Sequence, residues 1–220
     1  MISVAIDGPA GAGKSSLARA AAKELGFLYV DTGALYRTIA LGLLRAGIDI
    51  ADTNAVENAL KTLKADLKFI DGEQRVFLDG EDVSDKIRTP EVSMMASASS
   101  ALPAVRAYLL DKQRLLAKNN DVLMDGRDIG TVVLPNATVK IFLTASPEER
   151  ARRRYLELQA KGATDTYEQV YEDMVKRDYN DSHREIAPLK PAEDSVIVDT
   201  TGLEIEQSLE LILKTVRERL

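Results

Sequence analysis

Residues 8–15 read Gly-Pro-Ala-Gly-Ala-Gly-Lys-Ser, a glycine-rich run closed by a lysine and a hydroxyl. In the pattern Gly-x-x-x-x-Gly-Lys-Ser, backbone N–H groups are free to cup phosphate oxygens, because no Cβ holds the anion away. Lys14 supplies a cation for the terminal phosphates, and the Ser15 hydroxyl a ligand for Mg²⁺. The helix expected to follow adds its positive N-terminal end. Gly8, Pro9, Ala10, Gly11, Ala12, Gly13, Lys14, Ser15 and Ser16 are therefore expected to hold a nucleoside triphosphate. The loop alone leaves the phosphate acceptor open.

Four other segments carry residues that can choose that acceptor. Val122-Leu123-Met124-Asp125 is an apolar run ending in a carboxylate, the acidic strand end that supports Mg²⁺ through water behind such a loop. Across Gly126 follow Arg127, able to clamp a phosphate bidentately, and Asp128, able to accept from an amine or hydroxyl; a plain surface turn is the alternative. Asp31-Thr32-Gly33-Ala34-Leu35-Tyr36-Arg37 puts Tyr36 and Arg37 in the first turn of a helix, or else is a helix cap followed by a solvated arginine. Arg150, Arg153 and Arg154 share one helical face, as a solvated helix paired with glutamates or as a lid that neutralises a phosphoryl group in transfer. Arg177, Asp181 and Arg184 also share a helical face, with arginines for an anion or base carbonyl and a carboxylate for ribose hydroxyls. His183, the only histidine, is expected at the surface, since one histidine builds neither a metal site nor a triad. Met94-Met95 is read as core packing.

These residues need a scaffold, and the chain supplies an α/β rhythm. Ile2–Asp7, Phe27–Asp31, Val122–Asp125, Val139–Leu143 and Val196–Asp199 have the short, aliphatic character of buried parallel strands. Helices are expected over Ser15–Leu25, stopped by Gly26, and over Ala34–Ala46, stopped by Gly47, with Leu35, Ile39 and Leu43 on one face. Pro103 and Pro147 open two more, and Glu204–Arg219 closes the chain. Strands separated by helices imply a parallel sheet covered on both faces. Its ligands belong at the carboxyl ends of the strands. One stretch breaks the rhythm: in Asp66–Val83, Asp71-Gly72 and Asp79-Gly80 punctuate short strands of an antiparallel meander. It reads as a lobe, roughly 33–101, inserted into a core made of 1–32 and 102–220, with a lid within about 148–185.

Composition narrows the function class. The 220 residues are 45% apolar, enough for a substantial core, and carry a net charge of −6. An acidic chain is poorly suited to a nucleic-acid polymer, yet arginines concentrate after Arg106, which suggests an anion pocket on an acidic body. No apolar run reaches the 18 or so residues that span a bilayer, so no membrane is expected. The N-terminus enters a strand directly rather than a signal peptide, and there is no cysteine. A cytoplasmic location is expected.

Taken together, several stretches resemble the bacterial cytidylate kinases, nucleoside monophosphate kinases acting on CMP and dCMP. They are Asp7–Ser16, Asp31–Arg37, Gly80–Ser84, Ile87–Val92, Asp125-Gly126-Arg127-Asp128-Ile129-Gly130-Thr131-Val132-Val133 and Ala187-Pro188-Leu189. The loop is shared by many families, whereas the Gly-Arg-Asp-Ile-Gly-Thr-Val-Val stretch with the inserted meander is far more specific. The resemblance implies a five-stranded parallel core, a monophosphate-binding lobe containing the meander, a short lid and a monomer, with ATP and Mg²⁺ as donor. It also implies that Arg37, Arg127 and Arg177 hold the acceptor phosphate and Asp181 the ribose. Ser97, Arg106, Asp128 and Arg184 would surround the base, and Thr32 and Tyr36 line the pocket. Arg153 and Arg154 match lid arginines, with Arg150 or Arg152 as substitutes. Kinases of UMP, dTMP, shikimate or dephospho-coenzyme A are the nearest alternatives.

Overall fold

The computed structural model describes residues 1–160 and 162–220. Its elements run β1 (Ser3–Asp7), α1 (Lys14–Leu25), β2 (Leu28–Asp31), α2 (Thr32–Arg45), α3 (Thr53–Thr62), β3 (Ala65–Ile70), β4 (Glu73–Leu78), β5 (Glu81–Asp82), α4 (Pro90–Ser99) and α5 (Pro103–Asn119). There follow β6 (Val122–Gly126), one π-helical turn (Ile129–Val133), β7 (Val139–Thr144), α6 (Pro147–Ala160), α7 (Tyr167–His183), β8 (Val196–Asp199) and α8 (Ile205–Arg217).

The chain packs as two compact units, one made of Met1–Tyr29 with Asn119–Leu220, the other of Val30–Lys118. The first contains a five-stranded sheet of order β2-β6-β1-β7-β8, with β2 crossing the boundary between the units. The β1–β6, β1–β7 and β7–β8 pairs are parallel. Val4, Ala5 and Ile6 of β1 are wholly buried, as are Leu123 and Met124 of β6; both faces of these strands are covered, which is why they read as unbroken apolar runs. Leu17 and Ala21 of α1 and Ile212 and Val216 of α8 complete this core. Register matters for function here. Asp7 lies opposite Gly126, so the glycine-rich loop and the Gly-Arg-Asp segment leave the sheet side by side, at its carboxyl edge.

The second unit has its own core. Leu35, Ile39 and Leu43 fall at four-residue spacing along α2 and are all buried, against Val56, Leu60, Val76, Leu78, Val92, Val105 and Leu109. Each large side chain so buried contributes about 1.5–3 kcal/mol. Strands β3, β4 and β5 form the expected antiparallel meander. Both Asp-Gly pairs adopt positive φ at each residue (Asp71 53°, Gly72 79°; Asp79 51°, Gly80 88°), the left-handed conformation whose twist suits two-residue hairpins.

Several boundaries and elements differ from the sequence reading. Helix α2 starts at Thr32, with the Asp31 carboxylate accepting from Ala34 N at 2.9 Å, so Tyr36 and Arg37 lie in its second turn. Helix α7 ends at His183, and Arg184 is already extended (ψ 144°), past the end of the face expected to hold it. Met94 is 69% exposed, while its neighbour Met95 packs against the second core. In α4 the buried positions are Val92, Ala96 and Ser99, which turns Met94 outward. No described helix is long and apolar enough to cross a membrane.

Candidate active site

The glycine-rich loop is shaped by close approach of backbone to backbone. A Cβ on Gly8 would lie 2.0 Å from the carbonyl oxygen of Leu143 in β7, so only glycine lets the loop leave the sheet there. Gly13 is the N-cap of α1 in the left-handed conformation (φ 82°), with no side chain capping the helix. The first amides of α1 are thus left to an external anion. Lys14 is only 6% exposed and donates from Nζ to the carbonyl of Pro9 at 2.6 Å. Burial drives its pKa well below that of an ordinary lysine; Arg127 and Arg177 add to the effect, while Asp125 and Asp7 oppose it. An ammonium disfavoured in this way is one that an incoming polyphosphate would stabilise. The Ser15 hydroxyl donates to Asp125 Oδ2 at 2.9 Å, and Tyr29 OH to Asp125 Oδ1 at 2.9 Å. A hydroxyl and a carboxylate at the end of β6 are hard oxygen donors of the kind Mg²⁺ takes.

Asp7, at the end of β1, is 4% exposed and accepts from the backbone amides of Ile129 and Gly130, each at 2.7 Å. Burial raises its pKa to about 6, against the lowering effect of these two bonds. The π-helical turn begins at Ile129, and such turns occur at functional sites because they re-aim the residues beside them. Here those residues are Arg127 and Asp128. Arg127 Nε donates to Asp181 Oδ2 at 2.9 Å, and Arg184 Nη2 stands 3.7 Å from Asp128 Oδ1. Burial pushes the Asp181 carboxyl up, but Arg127, Arg177 and Arg184 outweigh it and hold its pKa below the ordinary value. Arg184 is also anchored through Nε to the Ala187 carbonyl at 2.6 Å. The first unit therefore brings Lys14, Arg127, Asp128, Arg177, Asp181 and Arg184 within electrostatic reach of one another.

In the second unit, Thr32 opens α2 and is buried; Arg37 Nη2 lies 3.9 Å from Asp31 Oδ2. Tyr36 faces the Arg106 guanidinium, 5.8 Å from the ring centroid. Arg106 Nη1 donates to the Ser100 carbonyl, whose own hydroxyl donates to the carbonyl of Ser97. Tyr36, Ser97 and Arg106 thus form a second cluster, with Thr32 and Arg37 on the same helix as Tyr36.

The arginines of α6 do not share one environment. Arg150, 5% exposed, donates from Nη1 to the loop carbonyl of Ala10 at 3.0 Å and pairs with Asp178. Arg153 is held by Glu149 and by Thr200, and Arg154 pairs with Glu157 at the surface. Of the three, Arg150 is the one bonded to the phosphate loop. His183 is exposed and stacks on Tyr179. Sequence reasoning assigned no role to Tyr29, or to Asp7 beyond its place in a motif. An apolar strand ending in aspartate just before the glycines was the available signal for Asp7.

A parallel sheet with a glycine-rich loop after its central strand, and arginines on the segments that follow, defines the P-loop kinases. Two solved structures of such enzymes share the fold: a shikimate kinase from Bacteroides thetaiotaomicron (TM-score 0.50, 12% identity, 98% of each chain covered) and a gluconokinase from Sinorhizobium meliloti 1021 (TM-score 0.50, 14% identity, covering 99% of this chain and 92% of the other). Sequence takes the assignment further. The cytidylate kinase family pattern matches residues 4–218. Cytidylate kinases from Caldicellulosiruptor bescii (51% identical; 97% of this chain, 94% of the relative) and Geobacter sp. strain M21 (52% identical; 99% and 93%) align along nearly the full length. The chain belongs to the cytidylate kinase family, and with it to the nucleoside monophosphate kinases.

Proposed function

We propose that the protein transfers the γ-phosphate of ATP to CMP or dCMP, giving ADP and CDP or dCDP. The observation that carries this reading is the convergence on Lys14. The lysine of the triphosphate loop lies in the field of Arg127 and Arg177, and Arg127 is itself bonded to the buried carboxylate of Asp181. A donor lysine and an arginine–carboxylate cluster suited to an acceptor thus lie within electrostatic reach in the first unit.

Residues 8–16 cradle the triphosphate, and Arg37, Arg127 and Arg177 hold the acceptor phosphate. Asp181 takes the ribose. Ser97, Arg106, Asp128 and Arg184 read the base, with Thr32 and Tyr36 beside it. Ser15 Oγ and Asp125, bonded to each other, are the residues that would hold Mg²⁺, which would neutralise charge on the triphosphate. An oxygen of the CMP phosphate attacks the γ-phosphorus in line with the departing ADP oxygen. That phosphate is already a nucleophile as a dianion, so no side chain has to remove a proton. Lys14 and the α6 arginines stabilise the charge that spreads over the transferring group. A short lid within about 148–185 would exclude water and limit wasteful hydrolysis.

Base choice follows from hydrogen-bond polarity. Cytosine presents an N4 amine beside N3 and O2 acceptors, matched by Asp128 and Ser97 as acceptors and by arginine donors. Uracil would set its O4 against a carboxylate and its N3–H against a guanidinium, leaving buried groups unpaired. Initial rates of ADP formation with CMP, dCMP, UMP, AMP, dTMP, shikimate and dephospho-coenzyme A, each with ATP and Mg²⁺, test the assignment. CMP and dCMP should exceed all others in kcat/KM, UMP included, by at least about 10²-fold. A higher value for any other acceptor would overturn it.

A further inference from the structure

Asp31 ends β2, and several groups of the second unit hold it. Its Oδ1 accepts from Ala34 N, capping α2. Its Oδ2 faces two guanidiniums, with Arg88 Nη2 donating at 2.9 Å and Arg37 Nη2 standing at 3.9 Å. The backbone of Asp31 is gripped as well: its N–H donates to Gln74 Oε1 at 2.8 Å, and its carbonyl accepts from Gln74 Nε2 at 3.1 Å. Gln74 belongs to β4 of the meander. Its side-chain amide pairs with Asp31 as a neighbouring strand would, and so ties the meander to the turn that starts α2.

This arrangement has an electrostatic consequence for Arg37, in the second turn of α2. Asp31 is a buried carboxylate close to an arginine assigned to a phosphate dianion. With no other counter-ion, its Oδ2 would draw Arg37 onto itself and repel the incoming phosphate. Arg88 takes the hydrogen-bonding position on that oxygen and leaves Arg37 at the longer distance. Arg88 can do this from the surface, its side chain being 53% exposed. We propose that Arg88 and Gln74 are positioning residues for acceptor binding: Arg88 shares the Asp31 carboxylate with Arg37, so that Asp31 holds Arg37 less tightly and opposes the CMP phosphate less, and Gln74 fixes the backbone from which Asp31 and Arg37 are presented. The inference rests on the reading of Arg37 as an acceptor-phosphate ligand.

The test is a KM-against-kcat comparison in the purified full-length enzyme, with melting temperatures recorded for every variant. Arg88→Ala should raise the KM for CMP about tenfold, with kcat and the KM for ATP within twofold of the parent. Arg88→Lys should recover most of the loss. Gln74→Ala should raise the same KM about fivefold. The decisive variant is the double substitution Asp31→Asn with Arg88→Ala. The Asp31→Asn change keeps the capping oxygen and removes the charge, so Arg88 should no longer matter, and the KM should return to within twofold of that of Asp31→Asn alone. An unchanged KM in Arg88→Ala, or losses that simply multiply in the double variant, would overturn the proposal while leaving the Arg37 reading intact. If Arg37→Ala itself leaves the KM for CMP unchanged, that reading fails and this inference falls with it.

Discussion

Lys14 shows how a single residue can be costly to the fold and necessary to the chemistry. Its ammonium is buried, disfavoured by burial and by Arg127 and Arg177, and bonded to one carbonyl. Asp125 and Asp7 offset only part of that cost. Lys14→Ala should therefore lower kcat by at least about 10²–10³-fold, the scale for losing one donor aimed at developing charge, without lowering the melting temperature. Initial rates and thermal melts on the same preparation check both halves; full activity would end the assignment of the loop. Residue-level legibility followed the same division. Lys14, Ser15, Arg127, Asp128 and Asp181 were readable because glycine spacing, a strand end or helical spacing marks them in the sequence. Gln74 was not, because a glutamine in a strand carries no local mark of the backbone it will bond 43 positions away.

At the scale of elements, strong local chemistry made structure legible. The buried strands β1, β6 and β7 read as apolar runs, and the Asp-Gly pairs fixed both hairpins of the meander through their positive φ. The π-helical turn after Asp128 was not legible. It depends on Asp7, 122 residues away, binding the amides of Ile129 and Gly130. Helix α6 was legible as a helix, but not in how its arginines differ, since the i, i+3, i+4 pattern cannot say which position meets the loop. That difference makes a prediction. Arg150→Ala removes a buried cation from Asp178 and from the Ala10 carbonyl, and should cost about 2–4 kcal/mol of stability as well as kcat. Arg154→Ala removes an exposed i, i+3 pair with Glu157, and its stability should stay within about 0.5 kcal/mol. Any loss of kcat in Arg154→Ala would then be catalytic rather than structural. Urea denaturation beside steady-state kinetics separates the two, and an Arg150→Ala protein as stable as the parent would contradict the geometry.

For the molecule as a whole, the two cores set where stability lies, and the titrating carboxyls set how it varies with pH. Most shifted carboxyls are depressed. Hydrogen bonds from Arg45 and Lys86 hold Glu81 at about 2, those from Arg75 and Ser84 hold Asp82 at about 2, and Asp181 and Asp194 also lie below their ordinary values. Such groups favour the folded state above their unfolded pKa, and that contribution is lost as the pH falls through the folded one. Asp7 runs the other way. Its folded pKa of about 6 exceeds the ordinary 3.8, chiefly through burial, so between these values the folded chain binds more protons than the unfolded chain. Its contribution therefore weakens as the pH rises from about 4 to about 6, by up to about 3 kcal/mol. The groups facing it are the Ile129 and Gly130 amides, Lys14 from α1 and Asp128 beside the π-helical turn, the last reinforcing burial. Asp7→Asn keeps one acceptor for the two amides, so it should carry a pH-independent loss of about 1 kcal/mol and no titration in this window. Urea unfolding of both proteins at intervals from pH 4 to pH 7 gives the difference directly. The variant should be the less stable protein at pH 4 and gain on the parent with each step toward pH 6. A difference that stays flat across that interval would mean that Asp7 titrates in the folded state as an ordinary aspartate does.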